Sequence, residues 1–279
     1  MVAESLSRHK HAFHWLHIMA VLGSLCVVIP VIAWSAPLSP LRALLVFGIA
    51  LIAWCQNIGL IHEGAHRLPR GPRWLGLSIV RVLHALGALR FTATRFAHLL
   101  HHAYLGTELD PDRAGYETTT TPRKRLLYLL MVGPLRARFA PVDVSRALEG
   151  MAVTRRRQHE RDCRHEAKLV VLVQLSLIPL FGLYYPVVLA ALIAANMLSN
   201  LREMAEHGLD GQGVYVNIRV SPVGVLMLST PGFWFHGIHH MEPGLHYWEL
   251  PRHAAIGLTE PALPYVQRAG AIRYLFTGR

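Results

Sequence analysis

The chain has 279 residues, 52% of them hydrophobic and only 16% charged, with mean hydropathy +0.31 and a formal charge of +11. Ordinary soluble domains carry about 25% charged residues, so the composition argues for a membrane protein, whose positive charge reads first as cytoplasmic anchoring. Three cysteines, an odd number, give neither a disulfide framework nor a thiolate metal site, and no nucleic-acid motif is present.

In chain order, residues 1–10 are polar. His9, His11, His14 and His17 follow without converging on one helical face, and read as an interfacial start to a first span. No Asp, Glu, Lys or Arg occurs from His11 to Leu41, which predicts a span from about His14 to Trp34. Ser35-Ala36 resembles a cleavage site, but the apolar run is too long for a signal peptide. Pro37 and Pro40 mark a turn. A second uncharged run, Ala43–Ile61, predicts a returning span that ends in His62-Glu63-Gly64-Ala65-His66.

Residues 67–167 hold eighteen of the chain's 28 Lys and Arg, which places that side in the cytoplasm by the positive-inside rule. Within it, Leu75–Ala93 is apolar but interrupted by Arg81, His84 and Arg90, and reads as one surface-lying or half-inserted helix in which His84 packs. His98, His101 and His102 follow, then a turn containing Asp110 and Asp112. Residues 126–135 form a short apolar piece broken at Gly133-Pro134, and Arg155–Arg157 read as a solvated basic face. Leu169–Leu201 is an uncharged run of 33 residues, too long for one crossing of a roughly 30 Å core. With Pro179, Gly182 and Pro186 at its middle, it predicts a hairpin: a third span from about His165 to Leu183 and a fourth from about Tyr185 to His207. Asn196 and Asn200 lie inside the fourth span and need partners there. Beyond a mixed stretch come His236, His239 and His240.

Histidines spaced i, i+3, i+4 share a helical face. His98, His101, His102 and His236, His239, His240 have that spacing, and His62 with His66 is an i, i+4 pair. Imidazole suits iron, copper, zinc and nickel. Every cluster falls on one side of the predicted membrane, so three local motifs become one candidate metal centre.

This pattern, with a membrane hairpin between the second and third boxes, resembles the membrane fatty-acid desaturase and hydroxylase family over about residues 40–255. Asp110-Pro111-Asp112 and Leu250-Pro251 add to the likeness. The resemblance implies an all-α integral membrane protein, a single domain over residues 1–279. It would have four transmembrane helices and a cytoplasmic helical cap carrying a histidine-rich di-metal site. It implies two iron ions, O2 as co-substrate, and ligands His62, His66, His98, His101, His102, His236, His239 and His240. A lone histidine after the fourth span, His207, makes nine. The family position one turn before that histidine holds Asn in some members; here it is Glu203, a ligand or a support for one. Asp110 and Asp112 are candidates to hold ligand imidazoles, as are Glu63, Glu206 and Glu242. His246 reads as substrate-side, structural or a tenth ligand, and His159, His165 and His253 as surface residues.

The implied activity is an O2-dependent desaturase acting on a fatty-acyl or lipid-like chain; a hydroxylase or ketolase of the same family would use the same ligands. No haem or iron–sulfur motif is present, so a separate electron donor such as a ferredoxin is expected, with the protein in the cell inner membrane, site and termini cytoplasmic. Two other readings are weighed. His-Glu-x-x-His also fits a zinc membrane protease with Glu63 as base, but that explains one box and leaves two. A histidine-lined transporter would place these groups near the midplane, not at span ends.

Overall fold

The computed structural model describes residues 2–113, 121–130, 144–207, 217–218, 235–250 and 265–266. Gly133-Pro134, Pro251 and His253 lie outside them. Apart from a two-residue parallel pairing of β1 (Asn217–Ile218) with β2 (Tyr265–Val266), the described residues are helical or connect helices.

The first span is a helix with a defect. α1 (Val2–Gly23) passes through a π turn at Ser24–Val28 into α2 (Ile29–Ser35). Pro30 has no N–H for the carbonyl four residues back, and just before it the Ile29 N–H bonds Ser24 O, an i→i−5 bond. α3 (Pro40–His66) starts with Ser39 Oγ accepting from Arg42 N–H and with proline at its first position. It runs unbroken into the first histidine box.

The expected single helix over 75–93 is instead two. α4 (Arg73–Leu86) and α5 (Phe91–Tyr104) meet at 90°. Ala88 has φ +57°, and a Cβ on Gly87 would lie 2.9 Å from Ile61 Cδ1, so the corner requires both a left-handed residue and a close approach to α3. At the turn the last carbonyls of α4 accept from the N–H groups of Gly87, Ala88 and Leu89, and side chains add further donors. Asn57 Nδ2 donates to Leu83 O, and Gln174 Nε2 donates to Ala85 O and Leu86 O. His84 packs inside, its Nδ1 donating to Val80 O, as expected.

α6 (Pro122–Leu130) and α7 (Ser145–Glu149) are short. α8 (Val153–Phe181) begins well before the predicted third span, so the Arg155–Arg157 run is helical. It reaches Gly182, φ +52°, and a 3-10 turn, after which α9 (Tyr185–His207) begins. Among the described residues three helical stretches are long and apolar enough to cross a membrane, Ala12–Ser35, Pro40–His66 and Val153–Met204, or four if the bent α4–α5 pair is one span. The third, at 52 residues, is about 78 Å of helix, and it folds back. At its turn Leu180 O accepts from Trp34 Nε1, and Tyr184 OH donates to Pro37 O. At its two far ends Glu166 and His207 both lie beside the histidine-bearing helices.

α9 packs along α3 as the main seam of the fold. Ala50 and Ala53 of α3 and Ala191 and Ala195 of α9 are fully buried in the shared core. Small residues let two apolar helices approach closely without water to drive them together; a leucine at Ala191 would cost about 1–3 kcal/mol in overpacking. Asn196 Nδ2 donates to Leu192 O and Asn200 Nδ2 to Tyr128 O on α6, which supplies the partners these amides need. The outward faces are apolar: Phe13, Leu41, Leu44, Leu172, Leu175 and Leu183 are exposed, a surface suited to lipid.

Candidate metal centre

Four structural units deliver nine imidazoles to one place. The last turn of α3 carries His62 and His66, and α5 carries His98, His101 and His102. α9 ends on His207, and the short α10 (His236–Met241) carries His236, His239 and His240. The right-angle corner before α5 is what swings the second box against the first. Two anchors hold it there. Glu166 of α8 accepts from Thr92 N–H, Thr92 Oγ1 and Arg81 Nε at 2.7–2.9 Å, placing a carboxylate at the N-terminus of α5. Arg95 Nε donates to Ala65 O at 3.0 Å, tying α5 to the residue before His66.

The imidazoles fall into two groups. His62, His66, His98, His102 and His239 offer donor atoms all within 4.8 Å of one another. His101, His207 and His240 form a second such set, and His236 joins it through His207 and Glu206. Nε2 meets Nε2 at 2.7 Å for His66 and His98, 3.2 Å for His98 and His102, and 3.2 Å for His102 and His239. In the other group the spacings are 2.8 Å for His207 and His236 and 3.0 Å for His236 and His240. The rings of His102 and His240 stack at 4.2 Å and join the groups. A neutral imidazole has one N–H and one lone pair, so hydrogen bonding alone poorly explains so many Nε2 atoms aimed at two common points. A cation at each point suits them.

One outer nitrogen is held by a carboxylate. His101 Nδ1 donates to Asp110 Oδ1 at 2.9 Å, and Asp110 is itself fixed by the N–H groups of Gly106 and Asp112. Asp112 Oδ2 stands 3.8 Å from the same imidazole. The Asp110 bond leaves Nε2 of His101 as the inward lone pair. Glu206 Oε2 lies nearby, 3.5 Å from His236 Nδ1 and 3.3 Å from Arg202 Nε. Burial pushes His207, His236, His239 and His240 well down from the ordinary histidine range, and neighbouring imidazoles push them further. They stay neutral and able to bind metal. Burial raises the Glu206 carboxyl to about 7, against the opposing charge of Arg202.

Glu203 Oε1 accepts from Tyr128 OH at 2.8 Å. Glu63 joins His246 and His14 in a separate buried cluster, and Glu242 caps the end of α10. His14, expected at the interface, is instead 3% exposed in that cluster, and His17 Nδ1 shares a hydrogen bond with Tyr247 OH. Their ring partners His246 and Tyr247 lie more than two hundred residues away, and even Glu63 is far from His14 in sequence, so no local spacing reveals them. His159 stacks edge-on against Phe96, and His165 is exposed.

Fold and site together define a class: a helical protein of membrane type with an all-imidazole site large enough for two metals. The family description "Fatty acid desaturase" matches residues 36–269, and the chain belongs to that family. No curated protein and no solved structure matches. Family and histidine groups fit a membrane-bound di-metal oxidoreductase acting on lipid.

Proposed function

We propose that the protein is an O2-dependent desaturase that introduces a double bond into a fatty-acyl or lipid-like chain. The observation that carries this reading is the convergence of nine imidazoles, five in one group and four in two overlapping sets that share His207. In this reading His62, His66, His98, His102 and His239 hold one iron, and His101, His207, His236 and His240 the other. The iron pair supplies reduction of O2 and removal of hydrogen from an unactivated C–H bond. The balance is two hydrogens lost from adjacent carbons, one O2 and two further electrons with two protons taken up, and two waters formed. The two electrons come from a separate carrier, and the basic helical surface at Arg155–Arg157 suits an acidic one such as a ferredoxin.

The chain's own residues bind and orient. Asp110 holds His101 in the tautomer that presents Nε2, and Glu166 and Arg95 hold the second box against the first. An open pocket of about 440 Å³ beside the five-histidine group is lined by His66, Arg67, Leu99, His102, Pro243 and Gly244; it gives a chain access to that group. The whole chain acts as one domain with four crossings, the α8–α9 hairpin supplying two. Its histidine side lies in the cytoplasm, in the cell inner membrane, on the strength of the basic residues there. The protease reading loses its base, because Glu63 is engaged by His246 and Arg67.

Lipid and fatty-acid profiling of cells with and without the protein tests the proposal. A new unsaturated product two mass units below its precursor supports desaturation. A product sixteen units heavier shows the hydroxylase reading instead, since both reactions use the same ligands and oxidant.

A further inference from the structure

Three of the four ligand-bearing units are long helices anchored in the fold. α10 is only His236–Met241, and the segment that follows helps to fix it. That segment is docked on the last turn of α3. Glu63 is 2% exposed. Its Oε1 accepts from His246 Nδ1 at 2.6 Å and pairs with Arg67 Nε at 3.2 Å. Arg67 Nη2 donates to the carbonyls of Pro243 and Leu245 at 2.9 and 2.8 Å. His246 N–H donates to Glu249 Oε2. The rings of His14 and Trp248 close over His246.

His14, Glu63 and His246 offer donor atoms within 4.8 Å, a set that in composition resembles a two-histidine, one-carboxylate metal site. Charge and bonding decide otherwise. The Glu63 carboxylate already faces the Arg67 cation. Its Oε1 is taken up by the His246 Nδ1 hydrogen bond, so a cation and an N–H donor satisfy the carboxylate without a metal.

The placement along α3 gives the cluster its role. His62 and His66 are an i, i+4 pair on one face. Glu63 and Arg67 are an i, i+4 pair about 100° around the same turn. One rigid turn therefore carries two proposed ligands and the anchors of the loop behind the third box. Only Met241 and Glu242 separate His240 from Pro243, so at about 3.5 Å per residue the slack is small.

We propose that Glu63, Arg67 and His246 are positioning residues that set the third histidine box against the first. They act on His239 and His240 through the docked segment 243–246 and are not themselves metal ligands. The inference rests on the reading of the nine histidines as metal ligands.

The test is a double-mutant cycle on the purified, metal-loaded protein with Glu63→Ala, His246→Leu and both together. The readouts are the rate of metal release to a chelator and hydrogen exchange over residues 236–249. Each single variant should release metal at least about tenfold faster. The double variant should be no worse than the poorer single one, because both remove the same bond. His246→Asn, whose amide N–H replaces the Nδ1 donor, should return release to within about threefold of the parent and restore slow exchange. Parent-like release in the single variants, or effects that multiply in the double, overturns the pairing; if Glu63→Ala fails to fold, equal behaviour of His246→Leu and His246→Asn does so. If the parent protein binds no metal, the di-metal reading fails by itself. Exchange then decides the positioning role: acceleration in His246→Leu but not His246→Asn upholds it, and unchanged exchange overturns it.

Discussion

Removing the Asp110 carboxylate should cost the protein one of its two metals. Asp110 is 5% exposed, and its oxygens accept from His101 Nδ1 at 2.9 Å, Asp112 N–H at 2.9 Å and Gly106 N–H at 3.2 Å. Asp110→Ala leaves a buried imidazole free to rotate and strands two amides of the turn. A buried hydrogen bond to a charged group contributes about 1.5–3 kcal/mol. Loss of a partner behind a ligand histidine typically lowers metal affinity about 10–100-fold, which is about 1.4–2.7 kcal/mol. The two routes agree near about 2 kcal/mol. His101 belongs to the four-histidine group, so that group should empty first. Purified protein is dialysed against graded chelator and its metal measured by mass spectrometry. At a chelator level where the parent keeps about two metals per chain, the variant should keep about one. Asp110→Asn should fall between them, since its oxygen still accepts from His101 while its amide opposes the Gly106 N–H. Retention equal to the parent in Asp110→Ala would refute the orienting role of this carboxylate.

Three further outcomes follow from the same geometry. His207→Ala should abolish turnover and lower metal content while the protein still inserts. The exposed His165→Ala is the control, and equal activity in the two variants would remove His207 from the ligand set. Glu166→Ala removes two bonds from the start of α5 and one from Arg81 of α4 and should lower stability by about 2–3 kcal/mol, read as a lower thermal midpoint, with activity lost at temperatures where the parent is stable. Gly244→Trp meets no neighbour within 4 Å of its Cβ and lines the pocket beside His66 and His102. It should fold and bind metal normally yet reduce turnover of long-chain substrates at least about tenfold; unchanged turnover would show that substrate reaches the site by another route.

Much of this was legible in the chain because its signals are local. Uncharged runs marked the long helices, Pro179, Gly182 and Pro186 marked the hairpin, and i, i+3, i+4 spacing marked the histidine faces. The right angle between α4 and α5 was not legible. Leu75–Ala93 reads as one apolar stretch interrupted only by Arg81, His84 and Arg90, and the bend comes from a left-handed Ala88, a conformation that sequence rarely advertises, and from the contact of Gly87 with α3. The carboxylates divided the same way. Asp110 lies within nine residues of His101, and proximity nominated it. Glu63 is adjacent to His62 in sequence but belongs to His246, 183 residues away. Glu203, placed by spacing near the lone histidine, is taken up by Tyr128 of α6, a helix whose packing no periodicity predicts. Adjacency along a helix fixes which face a residue occupies, not what meets it there.

The central claim is that nine imidazoles hold two metals. The most direct test is metal content with Mössbauer spectroscopy on protein purified after growth in 57Fe. The account predicts about two irons per chain in a nitrogen-rich environment, coupled to one another and reducible together. One zinc per chain with peptidase activity, or irons that behave as isolated single sites, would contradict it.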